Sequence, residues 1–168
     1  LIRYMGLSML VIYALMAIPF RSYFQPLLVL TAVPFGIMGA IFGHLILDWQ
    51  ISMMSFLGVI AAAGVVVNDN LVLLDRIANL RREGEPVLQA VVQAGLDRFR
   101  PIVLTSLTTT AGLFPMLFET STQALFLVPM AIALSFGTVA SAFVVLLLIP
   151  ALHQIWWDIQ RVLGLQTR

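Results

Sequence analysis

The sequence predicts an all-α integral membrane protein, a bundle of five transmembrane helices with one short cytoplasmic interfacial helix. The first observation is composition. The 168 residues are 61% hydrophobic and 10% charged, with a mean hydropathy of +1.02, whereas soluble domains carry about 25% charged residues. The second observation is that apolar runs recur five times, each near the roughly 20 residues that a helix needs to cross a bilayer core. A membrane is therefore the expected solvent for this chain.

The chain has room for five spans in a single transmembrane domain, without a separate soluble domain. The third span is followed by a polar stretch with one apolar helical face, which predicts an interfacial helix at about 85–97. Pro101 suits the first position of the fourth span, and an amphipathic tail follows the fifth. The sequence opens with Leu-Ile-Arg and without an initiator methionine, so we expect a piece of a longer protein. The predicted spans lie at about 1–20, 26–47, 53–80, 101–118 and 124–152.

The arginines predict the orientation of the bundle. All nine basic residues other than histidine are arginines, and with five spans only Arg3 lies on one side. Because arginine is enriched on the cytoplasmic side of membrane proteins, we expect the C-terminal tail in the cytoplasm and Asp48 and Glu119 on the other side. The net charge of +1 gives no indication of a nucleic-acid partner. The arginines on the cytoplasmic side are Arg21, Arg76, Arg81, Arg82, Arg98, Arg100, Arg161 and Arg168.

The second span carries a stripe of glycines, Gly36, Gly39 and Gly43. Gly39 and Gly43 form a small-xxx-small pair, a pattern that lets two helix backbones approach closely inside a membrane. We therefore predict that this stripe packs against another helix.

Asp69 stands out among the acidic residues because it lies about halfway along the third span. A charge at that depth costs at least about 2.5–3.5 kcal/mol on insertion scales, and desolvation favours the neutral form of a carboxyl group. No basic residue of this chain lies at matching depth, so either Asp69 is protonated or its partner belongs to sequence outside the chain. Asp69 could carry protons, or it could hold helices together through hydrogen bonds with Asn68, Asn70 or a neighbouring helix.

The fourth span is rich in hydroxyl groups, and Thr105 and Thr109 share one helical face with Gly112. These hydroxyls could hold water or pass a proton, or they could bond the preceding carbonyls and pack helices. The chain has no cysteine, and no metal-ligand cluster, phosphate loop or nucleophile–base pair is visible in it. The sequence therefore predicts neither an enzyme nor a bound metal or other cofactor.

Four sequence strings, in the same order, resemble the resistance-nodulation-division (RND) transporter family. They occur in the order of the family's eighth to twelfth helices, and the resemblance covers almost the whole chain. One string would be weak support, whereas four joined by loops of the right length are specific. The strings are Tyr13–Tyr23, Val33–Gly36, Gly64–Arg76 and Arg98–Ser106.

The resemblance implies a bacterial inner-membrane, multi-pass efflux pump of the multidrug type. Such a pump exports hydrophobic or amphiphilic compounds in exchange for protons, as a homotrimer. The implied partners are the missing N-terminal half of the same pump, a periplasmic adaptor and an outer-membrane channel, within the lipid bilayer. Substrate choice in the family depends largely on periplasmic regions outside this chain.

The resemblance also implies a set of proton-relay residues. In the family an aspartate pair on the fourth helix takes up protons, assisted by a lysine on the tenth helix and by a Thr and an Arg on the eleventh. The Thr matches Thr105 and the Arg matches Arg98, whereas the lysine position carries Asn68. The string Asn68-Asp69-Asn70 instead resembles the Asp-Asp motif of the fourth helix. The candidates are therefore Asp69, Asn68, Asn70, Thr105 and Arg98.

Two alternatives of other classes remain open at this point. The chain could belong to a membrane scaffold or protein-translocation helper with RND-like helices, or it could form a small channel lined by the threonines. Upstream sequence would separate them, because a pump predicts a large periplasmic domain before Leu1 and an acidic pair in an earlier span.

Overall fold

The computed structural model describes a continuous stretch, residues 29–162, in which the side chains of residues 160 and 161 are left out. Before this stretch it describes seven positions, all of them helical. Most of the predicted first span and the start of the second lie outside the described residues. The described stretch contains helices and no strand, so the predicted all-α fold is confirmed. The seven earlier positions are Arg3, Gly6, Leu7, Leu10, Val11, Tyr13 and Ala14.

Five helices follow one another along the described stretch. The last of them, α5, packs against α1, α2 and α3, and α2 also packs against α1 and α3. By length and composition α2 and α5 can each cross a membrane, whereas α1 is apolar but shorter. The central position of α5 makes it the helix around which the others are arranged. The helices are α1 (Val33–Ile46), α2 (Met53–Arg82), α3 (Val87–Leu117), α4 (Thr122–Leu125) and α5 (Val128–Val162).

The predicted second span is interrupted near its start. Val29 and Leu30 are helical, Thr31 and Ala32 form a turn, and α1 then begins one residue before Pro34. A proline has no N–H and its ring clashes with the carbonyl of the preceding turn, so it fits the first turn of a helix far better than the interior. Pro34 therefore divides the predicted span into two parts.

Local hydrogen bonds explain where α2 begins. The Ser52 hydroxyl accepts a hydrogen bond from the Met54 N–H at 3.2 Å, and the Ser55 hydroxyl accepts one from the Ser52 N–H at 3.0 Å. This capping box satisfies N–H groups that have no partner within the helix. After Arg82 the chain turns at Gly84, whose φ of +94° lies in the region that glycine adopts without steric cost.

The predicted interfacial helix and the predicted fourth span form one continuous helix, α3. Pro101 lies inside this helix instead of at its first position, and the helix begins directly after Pro86. A proline in a helix interior removes one hydrogen bond. Here the helix continues because Ala94, before the proline, and Ile102, after it, are both buried in the same apolar core.

The fifth predicted span also has different bounds. Residues 122–125 form the short α4, and α5 then runs to Val162, through part of the predicted amphipathic tail. The Ser121 hydroxyl caps α4 by accepting a hydrogen bond from the Ala124 N–H at 3.4 Å.

The glycine stripe of α1 lies against α5. A Cβ atom placed on Gly39 would overlap the Ala140 Cβ and would lie 2.6 Å from the carbonyl oxygen of Phe136. A Cβ atom on Gly43 would lie 2.5 Å from the Phe136 ring, whereas Gly36 has ordinary contacts, the nearest being 3.7 Å from the Gly137 carbonyl oxygen. The two backbones therefore approach most closely at Gly39, where a larger residue does not fit.

Candidate functional site

The middle of α2 presents three polar side chains in three directions. Asn68 is exposed, Asp69 is partly buried, and Asn70 is 0% exposed. This follows from helix geometry, since successive side chains are about 100° apart around the axis. The three residues are neighbours in sequence but do not form one cluster.

Asp69 lies seven residues before Arg76 on α2, which is nearly two full turns. The Arg76 Nε donates a hydrogen bond to the Asp97 Oδ2 of α3 at 2.8 Å, so this face of α2 is directed toward α3. Asp69 is thus roughly 10 Å along the axis from this ion pair, and Thr105 is roughly 12 Å from it in the same direction. The geometry places Asp69 and Thr105 at similar heights on neighbouring helices.

Asp69 has neither a hydrogen bond nor an ion pair with any other residue that the structure describes. A carboxyl group without a permanent partner can gain or lose a proton without first breaking an ion pair. Its position at mid-helix and the lack of a partner among these residues make Asp69 the strongest proton-carrying candidate in the described stretch.

Asn70 is committed to a different contact. Its Nδ2 donates a hydrogen bond to the carbonyl oxygen of Val29 at 3.1 Å. Its Oδ1 is buried and has no hydrogen-bond partner in the described part of the chain. Asn70 therefore points toward the chain that leads into α1, away from the side that carries Asp69.

The hydroxyl of Thr105 is bonded to its own helix. It donates to the carbonyl oxygens of Pro101 and Ile102, at 3.0 and 2.9 Å, and Thr108 makes the same kind of bond to Leu104 at 2.8 Å. This back-bonding is one of the two roles expected from the sequence. Thr105 is exposed in this chain, so its oxygen retains acceptor capacity for a group outside it.

Arg98 precedes Thr105 by seven residues and lies on the same face of α3. Its side chain is partly buried, and its Nε has no hydrogen-bond partner within residues 29–162. No ion pair joins Arg98 to Asp69 among the described residues. The structure thus brings Arg98 and Thr105 onto one face, while Asp69 lies on the neighbouring helix.

One ion pair near the predicted cytoplasmic end was not expected from the sequence. Asp97 accepts hydrogen bonds from Arg76 and, at 2.7 Å, from Gln93. These bonds, the Arg76 bond first, hold the pKa of the Asp97 carboxyl below its ordinary value. The sequence contained an indication of this pair. The short loop between α2 and α3 makes the two helices antiparallel, which brings Arg76, near the end of α2, opposite the third turn of α3.

Polar contacts on two other helices were also not predicted. The Nδ1 of the buried His44 lies 2.8 Å from the Ala40 carbonyl oxygen, to which it donates, and its Nε2 lies 2.8 Å from the Ser55 hydroxyl. On α5, Ser135 and Thr138 are buried one turn apart. Their spacing on an otherwise apolar helix was visible in the sequence as a polar stripe.

Arg81 joins the end of α2 to α5. Its guanidinium lies 4.6 Å from the centroid of the Trp157 ring, and its Nη1 donates to the Glu85 carbonyl oxygen at 2.9 Å. The contact brings the C-terminal part of α5 to the same end of the bundle as the loop between α2 and α3. No group of three or more His, Asp or Glu side chains in the described residues is arranged to hold a metal ion.

Apolar helices around a central helix, with an acid that has no ion pair among the described residues, are typical of helical membrane proteins. The comparison with known proteins agrees. Residues 1–156 match the AcrB/AcrD/AcrF family. The swarming motility protein SwrC of Bacillus subtilis is 29% identical over 157 residues, which cover 90% of this chain and 15% of SwrC.

Two further relatives differ in the kind of resistance that their names state. The cobalt-zinc-cadmium resistance protein CzcA of Cupriavidus metallidurans is 33% identical over 88% of this chain and 14% of its own length. The multidrug resistance protein MdtC of Erwinia amylovora is 28% identical over 84% of this chain and 14% of its own length. A crystal structure of a heavy metal efflux pump has the same fold, with a TM-score of 0.79 and 24% identity over 90% of this chain and 15% of that one.

The chain belongs to the AcrB/AcrD/AcrF family, the RND efflux transporters, and the resemblance seen in the sequence is confirmed. Members of this family are inner-membrane transporters. The chain spans 14–15% of the length of these relatives.

Proposed function

We propose that this chain is part of a proton-driven efflux pump that exports hydrophobic or amphiphilic compounds by substrate/proton antiport. The observation that supports it most directly is Asp69, an acid in the middle of α2 without an ion pair among the described residues. Thr105 and Arg98 on α3 are the proposed assisting residues. Asn68, which is exposed, is available to a part of the pump outside this chain.

Within that pump the chain supplies the eighth to twelfth helices. The N-terminal half of the same pump, which carries the aspartate pair in the family, completes the proton path. The assembly is a homotrimer in the bacterial inner membrane, with the C-terminus of this chain in the cytoplasm. A periplasmic adaptor and an outer-membrane channel complete the export route. This chain spans 14–15% of the length of its relatives, which supports the need for further sequence of the same pump.

Export of divalent metal ions is the second candidate for the substrate. It is favoured by CzcA, which is named for cobalt, zinc and cadmium, and by the fold shared with a heavy metal efflux pump. The proton-coupled role of Asp69 is the same in both cases. A channel is less well supported, because the Thr105 and Thr108 hydroxyls are bonded to their own helix.

The test uses the intact pump that contains this chain, purified and reconstituted into proteoliposomes. An imposed pH gradient should drive movement of an amphiphilic dye, and dye movement should in turn move protons. The same vesicles loaded with Zn²⁺ report on the second candidate. Dye transport without Zn²⁺ transport supports the multidrug proposal, and the reverse result replaces it with metal export. Movement of neither substrate, or transport that is independent of the pH gradient, would refute proton-driven export.

A further inference from the structure

The break before α1 leaves backbone carbonyls that the helix itself does not fully satisfy. Pro34 has no N–H to donate to the Leu30 carbonyl four residues earlier. In the turn formed by Thr31 and Ala32, the Val29 carbonyl oxygen accepts a hydrogen bond from the Ala32 N–H at a long 3.3 Å. Inside a membrane an unsatisfied backbone group is costly, so a broken helix needs a partner from a neighbouring element.

Asn70 of α2 supplies a partner for one carbonyl at this break, that of Val29. Its Nδ2 donates to the Val29 carbonyl oxygen at 3.1 Å, across 41 residues of sequence. Asn70 and Val29 are both 0% exposed. The side-chain amide thus takes over part of the hydrogen bonding that a continuous helix would provide for this carbonyl.

This contact also fixes how α2 is rotated about its axis. Asn70 directly follows Asp69, and the two side chains point about 100° apart. While the amide is held at Val29, Asp69 is held on the side of α2 that faces α3. The charged side chains nearest to that side are Arg76 on α2 and Asp97 and Arg98 on α3. The apolar part of α5, residues 128–152, carries no charged residue, and α1 carries only a histidine, His44.

We propose that Asn70 is a positioning residue: it clamps the Pro34-dependent break before α1 to the middle of α2 and thereby holds Asp69 toward α3. The positioning of Asp69 rests on its proposed role as a proton carrier. The clamp between Asn70 and the helix break concerns the folded protein alone, so the clamp and the positioning role can fail separately.

The clamp is tested by a double-mutant cycle in the intact pump, with Asn70→Ala, Pro34→Ala and the double variant. Replacing the proline by alanine removes the ring clash with the Leu30 carbonyl and permits a continuous helix. In such a helix the Val33 N–H would donate to the Val29 carbonyl, so the Asn70 bond becomes redundant. Thermal unfolding in detergent should show a clear loss of stability for Asn70→Ala alone and a much smaller loss in the Pro34→Ala background. Equal losses in both backgrounds would overturn the link between Asn70 and the helix break.

The positioning role is tested by transport. Asn70→Ala should lower proton-coupled efflux several-fold per folded pump and should shift the pH at which the rate is half-maximal. Adding Pro34→Ala should restore both toward the parental values. Asn79→Ala, at a position on the same helix where the side chain bonds Asp75, is the matched control and should keep the parental pH profile.

A purely structural role would reduce the amount of folded pump and leave the pH profile unchanged. Asn70→Ala with the parental rate and profile per folded pump would therefore overturn the positioning role. If the parental pump shows no proton-coupled transport, the proposed function fails, while the unfolding cycle still decides whether Asn70 clamps the break.

Discussion

Two aspartates of this chain illustrate how local partners decide what a carboxyl group can do. Asp97 accepts hydrogen bonds from Arg76 and Gln93, and these bonds stabilise its charged form. Asp69 has no such partner among the described residues. Uptake of a proton by Asp97 would break an existing ion pair, whereas Asp69 has none to break. The second arrangement suits a residue that changes its charge during a transport cycle.

Asp69→Asn is expected to separate proton transfer from helix packing. The amide is nearly isosteric with the carboxyl group and can still form hydrogen bonds, so the variant should fold. It cannot release a proton in the working pH range, and proton-coupled efflux should fall by at least about tenfold. The measurement is efflux in proteoliposomes, normalised to folded pump. Parental rate and pH dependence in this variant would show that Asp69 only packs helices.

A matched control for that experiment lies nearly two turns further along α2. Asp75 is exposed and accepts a hydrogen bond from the Asn79 Nδ2 at 3.2 Å. Asp75→Asn removes the same acidic group from the same helix, outside the proposed proton path. It should leave the efflux rate and its pH dependence close to the parental values.

The contribution of Asp97 to the stability of the fold should depend on pH, and the direction of that dependence follows from its pKa. Its folded-state pKa is lowered from the ordinary value of 3.8, first by the Arg76 hydrogen bond and then by the Gln93 bond. The pair therefore stabilises the fold fully above that ordinary value, and the contribution is lost as the pH falls through the lowered pKa. Arg76→Ala should raise the Asp97 pKa toward 3.8. Titration of the Asp97 carboxyl carbon by NMR measures the change, and an unmoved pKa would contradict the assignment.

The residues of the site were only partly predictable from the sequence. Asp69 was identified by its depth in an apolar run, a property of the local sequence alone. The Asn70 contact was not identified, because its partner, the Val29 carbonyl, is 41 residues away and becomes available only through the break before α1. For Thr105 the sequence indicates back-bonding as one of two options, since a hydroxyl's partner depends on its rotamer and not on its position.

At the scale of whole elements, the contact between α1 and α5 depends on small residues. Gly39 lies against the backbone of Phe136 and against Ala140, and on α2 a Cβ atom on Gly58 would lie 2.8 Å from the Ala133 Cβ. Apolar side chains gain little from leaving lipid for another helix, so close backbone packing has to supply the association energy.

Gly39→Ala is expected to destabilise the protein by about 1–3 kcal/mol, because the new Cβ atom meets backbone that cannot move aside easily. Gly64→Ala is the matched control, since a Cβ atom there has no neighbour within 4 Å. That variant should be neutral or stabilising by up to about 1 kcal/mol. Thermal unfolding of both variants in detergent checks the prediction, and equal melting temperatures would contradict the close contact.

Element bounds were predicted well where capping residues mark them and less well at prolines. Ser52 caps α2, which begins at its predicted start, residue 53. Pro101 was expected to begin a helix, yet Pro86 precedes the helix and Pro101 lies inside it. A proline lowers the stability of a helix locally, but the packing of Ala94 and Ile102 in one core decides whether the helix continues. That packing depends on α2 and α5, so the sequence around Pro101 alone does not predict it.

At the scale of the whole molecule, charged residues separate toward two ends of the bundle. The contact of Arg81 with Trp157 and the Arg76–Asp97 pair lie at the end where α2 finishes and α3 begins. Asp48 follows α1 at the opposite end. An asymmetry of arginine is the feature that orients helical membrane proteins. The arginine-rich end is therefore expected to face the cytoplasm.

Single-cysteine labelling in the intact pump tests this orientation, and the chain itself contributes no background thiols. Gly84→Cys lies in the exposed turn between α2 and α3, and Thr120→Cys lies in the exposed segment between α3 and α4. Because α3 runs between the two positions and is long enough to cross the bilayer, only one of them should react with an impermeant thiol reagent added outside intact cells.

The outer membrane is made permeable first so that the reagent reaches the periplasm. We expect Thr120→Cys to react, and Gly84→Cys to react only after the inner membrane is opened. Labelling of Gly84→Cys while the inner membrane is intact would show that the orientation is the opposite one. The C-terminal end of α5 would then also lie outside the cytoplasm, because Arg81 and Trp157 are in contact at that end.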